Sequence, residues 1–204
     1  MADGGVGAGQ EVSMYEQAEV AMSDKIAGVL RGLAEGMIKN GTNDILPHLV
    51  VMGFGRPEVG SEEKLPENSM VFALASGFNT DLEKQIALRN CARSVLEADV
   101  LPVAVGLLSE AWTVDLAPGE RLGTLQVADR EDRTEAAVIF VGSVGRKVSR
   151  IMSCHVERDV DGKIVIKPRP DGSFDWLLCE KSESQLISNF WRAVAIAWNE
   201  RKRK

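Results

Sequence analysis

The stretch from Leu101 to Leu178 constrains this chain most. Between Val103 and Val114 both alternating sets are apolar, with Val103, Val105 and Leu107 on one side and Ala104, Leu108, Trp112 and Val114 on the other. Successive side chains of a strand point to opposite faces, so a strand that is greasy on both is predicted to be central and covered twice. A second strand is predicted from about Ala136 to Val144, after a charged loop around Asp129 to Glu135. Val148 to Arg158 and Ile164 to Lys167 then flank Val160, Asp161 and Gly162 as a hairpin. A three-residue loop with Gly162 left-handed sets Val156 opposite Ile166, whereas a two-residue Asp-Gly turn would set Val156 opposite Lys167. The apolar pattern selects the three-residue loop, because a slip of one residue turns the whole set outward. Phe174 to Cys179 closes the block as a last strand.

Helical patterns lie on either side. Residues 1–12 carry Gly4, Gly5, Gly7 and Gly9 and almost nothing to bury, so a flexible tail is expected there. Ser13 with Glu16 forms a capping-box pattern, and Met22, Ile26, Val29, Leu30, Leu33 and Met37 recur at helical spacing until Asn40-Gly41. Gly28, Gly32 and Gly36 make a smooth strip on that helix, each costing roughly 1 kcal/mol relative to Ala. Either the strip packs tightly on the protein's own sheet or it is a self-association seam. Ile45 to Phe54 and Met70 to Phe78 read as strands. Thr80 and Glu83 open a second helix, with Leu88, Cys91, Ala92 and Val95 on one face. A third helix spans about Glu183 to Glu200, with Ile187, Phe190, Trp191, Val194 and Trp198 on one face. The prediction is an α+β domain over residues 13–200, with a mixed, largely antiparallel sheet of about six or seven strands, three packing helices, and a basic tail at 201–204.

The formal charge is −6, and Arg201, Lys202, Arg203 and Lys204 supply four of the 24 basic residues, leaving 20 against 30 acidic ones over residues 1–200. A body that acidic does not capture nucleic acid without sequence preference, although the basic end leaves a local contact with nucleic acid or acidic lipid open. Cys91, Cys154 and Cys179 are an odd number with no Cys-x-x-Cys, which favours reduced thiols. With no secretory leader and no long uncharged apolar run, the expectation is a cytoplasmic protein in which the Asn40 sequon carries no glycan.

Motifs for specific chemistry are sparse. Gly53-Phe54-Gly55 follows an apolar strand as a dinucleotide loop would, but Arg56 and Pro57 come next and the third glycine is missing. No Gly-Lys-Ser or Gly-Lys-Thr occurs, and no Gly-x-Ser-x-Gly elbow; Ser143 lacks that spacing. The chain has only His48 and His155, and Cys154 and His155, as strand neighbours, cannot ligate one ion, so neither metal nor cofactor is expected. His155 shares a face with Ser153 and Glu157, roughly 7 Å apart at two-residue spacing, which is either a ligand row or the solvated side of a hairpin. Glu110 lies on the face of Leu108 and Trp112. Covered there, it must be paired, hydrogen-bonded or protonated, and a carboxyl beside an indole with a raised pKa can serve as a general acid. The alternative is a strand-end Glu paired with an Arg from the 130–133 loop. Cys154 and Cys179 fall in apolar strand patterns, where a thiol is usually an inert small hydrophobe. Trp191 and Trp198 serve either as packing residues, within the chain or across a homodimer, or as a surface that seats on a partner or membrane.

Leu107-Leu108-Ser109-Glu110-Ala111-Trp112, followed after a loop by Asp132-Arg133-Thr134-Glu135-Ala136-Ala137-Val138-Ile139, resembles a loose group of bacterial and phage proteins. In that group a Ser-Glu-Ala-Trp strand leads through a polar loop into an Arg-x-Glu-apolar strand. The resemblance implies a small prokaryotic or viral protein and assigns no catalytic or binding residue. From the residues themselves, the leading expectation is a protein acting through protein contacts, as a homo-oligomer or with a partner. Two alternatives stand beside it: a small hydrolase or ligand-binding enzyme using Glu110, with His155, and a nucleic-acid or acidic-surface binder using the basic end.

Overall fold

Six strands form one antiparallel sheet, and a two-stranded ribbon stands apart from it. The computed structural model describes residues 14–55, 67–74, 81–114, 130–146, 148–166, 174–180 and 184–203. In chain order the elements are α1 (Met14–Lys39), β1 (His48–Phe54), β2 (Glu67–Ala73), α2 (Asp81–Glu97), β3 (Leu101–Thr113), β4 (Thr134–Ser143), β5 (Ser149–His155), β6 (Glu157–Arg158), β7 (Ile164–Val165), β8 (Leu177–Glu180) and α3 (Gln185–Lys202). The sheet runs in the order β2-β1-β3-β4-β5-β8, and β6-β7 is the ribbon. Every pairing among these strands is antiparallel, so the α+β class holds and the expected mixture is absent from the described sheet. The expected tail at 1–12, the capping residues Ser13 and Thr80, and the stretch 75–78 of the second predicted strand lie outside the described residues.

The sheet is covered on both faces at its centre. α1 packs on the face that presents Val50, Leu108, Ile139 and Val141, burying Met22, Ile26 and Leu30 completely. α2 and α3 pack against each other and cover the opposite face of Leu49, Val51, Val105 and Leu107, with Phe190 wholly enclosed. β3 therefore is the two-sided central strand, but only as far as Leu108. From Ser109 onward its residues are partly exposed, and Trp112 emerges 46% exposed beneath the Arg133 guanidinium, 4.8 Å from the ring centre.

One break in alternation has a local cause. The β1–β3 register shifts between Met52 and Gly53, which skips Val103 and puts it in the α1 core beside Ala104 rather than on the other side with Val105. At this bulge a Cβ on Gly53 would lie 2.0 Å from the Leu101 carbonyl oxygen, so glycine is required there by backbone approach and not by a phosphate.

The smooth strip of α1 behaves differently from its predicted packing role. A Cβ added at Gly28, Gly32 or Gly36 meets no atom within 4 Å, so the strip does not pack on the protein's own sheet. The close approach is made by sheet glycines instead. A Cβ at Gly106 would lie 2.3 Å from Ile26 Cγ2 and 2.8 Å from Leu30 Cδ1, and one at Gly142 would lie 2.5 Å from Ile187 Cγ2. The buried stripe of α1 is rotated accordingly, to Glu19, Met22, Ser23, Ile26, Ala27, Leu30, Ala34 and Ile38, leaving Val29 exposed. Gly41, at φ +71°, ends the helix as Asn40-Gly41 predicted, with its N–H donating to Ile38 O at 2.9 Å.

The hairpin has the predicted register. Glu157 pairs with Val165 and Arg158 with Ile164, the Asp159 N–H donates to Lys163 O, and Gly162 has φ +78°. Val156 and Ile166, opposite one another in that register, are both buried in the α1 core. The expected continuous strand Val148 to Arg158 is nonetheless broken at Val156, whose N–H turns to Glu135 O at 2.9 Å. β5 stays in the main sheet while β6 leaves with β7. β8 also begins later than expected, at Leu177, because Phe174 and Trp176 fold against the α1 core and the indole N–H of Trp176 donates to Glu35 Oε1 at 3.1 Å.

α3 starts at Ser184, whose hydroxyl accepts from the Ile187 N–H, and runs to Lys202, two residues past the expected end. Arg201 is part of the fold rather than of a tail: it donates to Leu96 O at 2.5 Å and pairs with Asp99 at 2.6 Å, fastening the end of α2.

Candidate functional site

Glu110, Glu135 and Arg158 converge where β3, β4 and the β6-β7 ribbon meet. Glu110 sits opposite Ala137 on β4, and Glu135 lies two residues earlier on the same strand, so alternation puts both carboxyls on one face. Arg158 Nη2 donates to Glu110 Oε1 at 2.7 Å and to Glu135 Oε1 at 2.7 Å, while its Nε donates to Glu135 Oε2 at 2.9 Å. Its Nη1 donates to the carbonyls of Asn43 and Gly162, the latter at 3.1 Å. Glu110 Oε2 accepts the Ile45 N–H at 3.1 Å. One guanidinium thus ties four segments together, and the partner that sequence analysis sought in the 130–133 loop comes from the ribbon instead. Arg158 was legible only as a hairpin residue, since nothing local marks the ion pair it makes 48 positions away.

Burial, followed by the hydrogen bond with Glu135, pushes the Glu110 carboxyl up to about 7, against the pull of the Ile45 N–H and the Arg158 charge. Glu135 moves the other way, held below its ordinary value chiefly by its hydrogen bonds from Arg158. Two carboxyls on one guanidinium share a proton more readily than they carry two charges, and the one that accepts twice from the guanidinium keeps its charge.

Beside this cluster opens a cleft of about 610 Å³ lined by Asp44, Leu74, Lys84, Leu107, Ser109 and Phe140, with Glu110 at its border. Leu107 and Ser109 belong to the strand face opposite that of Glu110, whose Oε1 is held by Arg158 of the ribbon and whose Oε2 is held by the Ile45 N–H. The carboxyl is therefore turned from the cleft into the clasp. His155 does not join it. It pairs with Ala136, one residue out of phase with the Cys154, Ala137 and Glu110 row, so it points to the other sheet face. It borders a smaller pocket of about 200 Å³ with Glu157, Asp175 and Leu177. The imagined Glu110–His155 pair is not formed. His48 is occupied locally, its Nδ1 2.8 Å from Leu46 O.

Cys91 and Cys154 are buried, and burial pushes each thiol up to about 11, so they are small hydrophobes as expected. Cys179 is exposed, against its expected burial, because β8 is an edge strand. Among the described residues no group of three or more His, Cys, Asp or Glu is arranged to hold a metal. No helix is long and apolar enough to cross a membrane. Trp191 is partly buried, edge-on to Phe190 with ring centres 5.4 Å apart, whereas Trp198 is 39% exposed with the Lys202 ammonium 5.5 Å above its ring.

Glu19 escaped notice in the sequence. It is 2% exposed on the inner face of α1, where Ser143 Oγ donates to its Oε2 at 2.6 Å and the Gly145 N–H to its Oε1 at 3.2 Å. Ser143 Oγ in turn accepts the Val148 N–H at 3.1 Å. The signal was present: Glu19 precedes Met22 by three residues and Ile26 by seven, the spacing of the buried stripe.

The two ends of the sheet differ. β2 opens polar, with Glu67, Asn68 and Ser69 exposed and Glu67 paired to Lys25 of α1, and then exposes Val71 at 55%. β8 presents Leu177 at 52% and Leu178 at 53% exposure, on opposite faces, with Cys179 beside them. Compared with protein families, curated proteins and solved structures, the chain matches none of them.

Proposed function

We propose that this domain works through protein contacts and self-associates by pairing β8 with β8 of a second copy. The observation that supports the reading is the asymmetry of the edges. Natural sheets blunt an open edge with charge, as Glu67 does at the start of β2 beside the single exposed Val71, whereas β8 carries two consecutive exposed leucines before its Glu180. α1, α2 and α3 pack chiefly on β1, β3 and β4; α1 reaches the β5–β8 flank through Asp24 on Arg150 and Glu35 on Trp176, and leaves Leu177 and Leu178 half exposed. An isologous antiparallel pairing needs a two-fold axis normal to the sheet. Centred on Leu178, it sets Leu178 opposite its own copy and Leu177 opposite Cys179, keeping each apolar residue on its proper face.

Glu110 as a general acid ranks second. Its raised pKa favours that reading, but the geometry spends both oxygens on Ile45 and Arg158. The basic-end reading is weakened by Arg201, which is bound to Asp99 and Leu96.

Light scattering of the purified chain over a concentration series tests the proposal. The expected result is a dimer that Leu178→Lys converts to a monomer with unchanged circular dichroism, since like charges directly opposite repel. A wild-type chain that stays monomeric throughout, or a dimer indifferent to Leu178→Lys, contradicts it.

A further inference from the structure

A second cleft, of about 520 Å³, lies between the β4–β5 turn and the first turns of α3, remote from both the clasp and β8 in its chemistry. Its walls include Ser143, Arg146, Ser149, Ser184, Trp191 and Arg192. We propose that this cleft binds a small molecule bearing a phosphate monoester, gripped by the Arg146 and Arg192 guanidiniums.

The first ground is charge. No acidic residue lines this cleft among the described residues, whereas Asp44 and Glu110 both border the other, beside Lys84. Most other described arginines are paired, Arg89 and Arg93 with Glu200, Arg150 with Asp24 and Arg158 with two glutamates, Arg203 at the chain's end being another without an ion pair. Arg146 and Arg192 make no ion pair among the described residues, and both face one concavity. Two guanidinium forks offer planar, paired donors that match the oxygens of a tetrahedral dianion.

The second ground is preorganisation. Arg146 holds a left-handed backbone, φ +57°, uncommon for a residue with a side chain. The turn that imposes it is pinned from beneath by Glu19, through Ser143 Oγ and the Gly145 N–H, and closed by the Arg146 N–H donating to Ser143 O at 3.1 Å. A buried carboxylate on α1 thereby fixes where Arg146 emerges on the α3 side, so the guanidinium loses less freedom on binding. On α3, Ser184, Ser188 and Arg192 recur every fourth residue and form one stripe of donors along the wall. Between them sits Trp191, whose indole Nε1 is buried and makes no hydrogen bond. A buried donor without a partner is uncommon. The indole gives the ligand's organic part an apolar surface.

Titration calorimetry of the full chain with phenyl phosphate, at fixed ionic strength, tests the proposal. Saturable binding is expected, weakened about tenfold or more by Arg146→Ala or Arg192→Ala and less by Arg192→Lys, which keeps the charge and loses the fork. Arg203→Ala, outside the cleft, is expected to bind as wild type. Tryptophan fluorescence recorded alongside is expected to shift on binding. Equal affinity for phenyl phosphate in wild type and the double Arg146→Ala, Arg192→Ala variant overturns the site, as does no saturable binding by a wild-type chain. Phosphatidate vesicles in a parallel arm distinguish the source: capture of the chain by vesicles without saturable binding of phenyl phosphate overturns the small-molecule assignment.

Discussion

Gly106 and the three glycines of α1 show that a glycine's meaning lies in what a methyl group would touch. Gly28, Gly32 and Gly36 recur at helical spacing and look like a packing groove, yet each faces open space. Gly106, with no pattern to advertise it, is where Ile26 and Leu30 press onto the sheet. Alanine at Gly28 and Gly32 is expected to raise stability by about 0.5–1 kcal/mol each, because the residue is already helical and the unfolded chain loses freedom. Alanine at Gly106 is expected to cost about 1–3 kcal/mol by overpacking. Denaturant titration of the variants checks both signs, and a loss of stability at Gly28 and Gly32 contradicts the rotated placement of α1. Periodicity could announce a stripe of small residues. It could not say on which side of the helix the sheet lies, because Glu19 and Ser23, polar residues, complete the buried stripe and Val29, an apolar one, leaves it.

At the scale of elements, the clasp around Arg158 joins β3, β4, the 42–45 loop and the β6-β7 ribbon, and its energetics depend on pH. A carboxyl whose folded pKa exceeds its unfolded one adds stability that is fully present below the unfolded value and is lost as pH rises through the folded value. For Glu110 that window runs from the ordinary 4.5 to about 7. Glu135 has the opposite sign, its contribution being present above the ordinary carboxylate range and lost as pH falls through its lowered value. The denaturation midpoint is therefore expected to decline between pH 5 and pH 8 in the wild type. Glu110→Gln, which mimics the protonated acid, is expected to flatten that decline. A flat wild-type profile, or a Glu110→Gln profile as steep as wild type, contradicts the protonated clasp. Much at this scale was legible in the chain: Gly162 and the alternation around it gave the ribbon its register, Asn40-Gly41 lies at the end of α1, and α3 begins two residues after the expected Glu183. The break of β5 from β6 at Val156 was not, because it is made by a hydrogen bond to Glu135 O in another strand. The candidate site divides in the same way. Glu110 could be read as a covered carboxyl from the face it shares with Leu108, but its partner comes from a distant element.

For the whole molecule, the α+β class followed from strand and helix patterning, and the strand order β2-β1-β3-β4-β5-β8 follows the chain except where β2 and β1 exchange places and the ribbon steps out. Among the described residues that order leaves β8, with its adjacent exposed leucines, at one end of the sheet, a position visible only once the strand order is known. Trp191 and Trp198, grouped on one helix face by spacing, are separated by the fold, the first against the core and the second at the surface beside Lys202. An interface built on β8 depends on backbone pairing, and amide hydrogen exchange reads it directly. Exchange at Leu177–Glu180 measured at low and high protein concentration is predicted to slow as concentration rises, while β2 amides stay unchanged; rapid, concentration-independent exchange along β8 would contradict the proposed pairing.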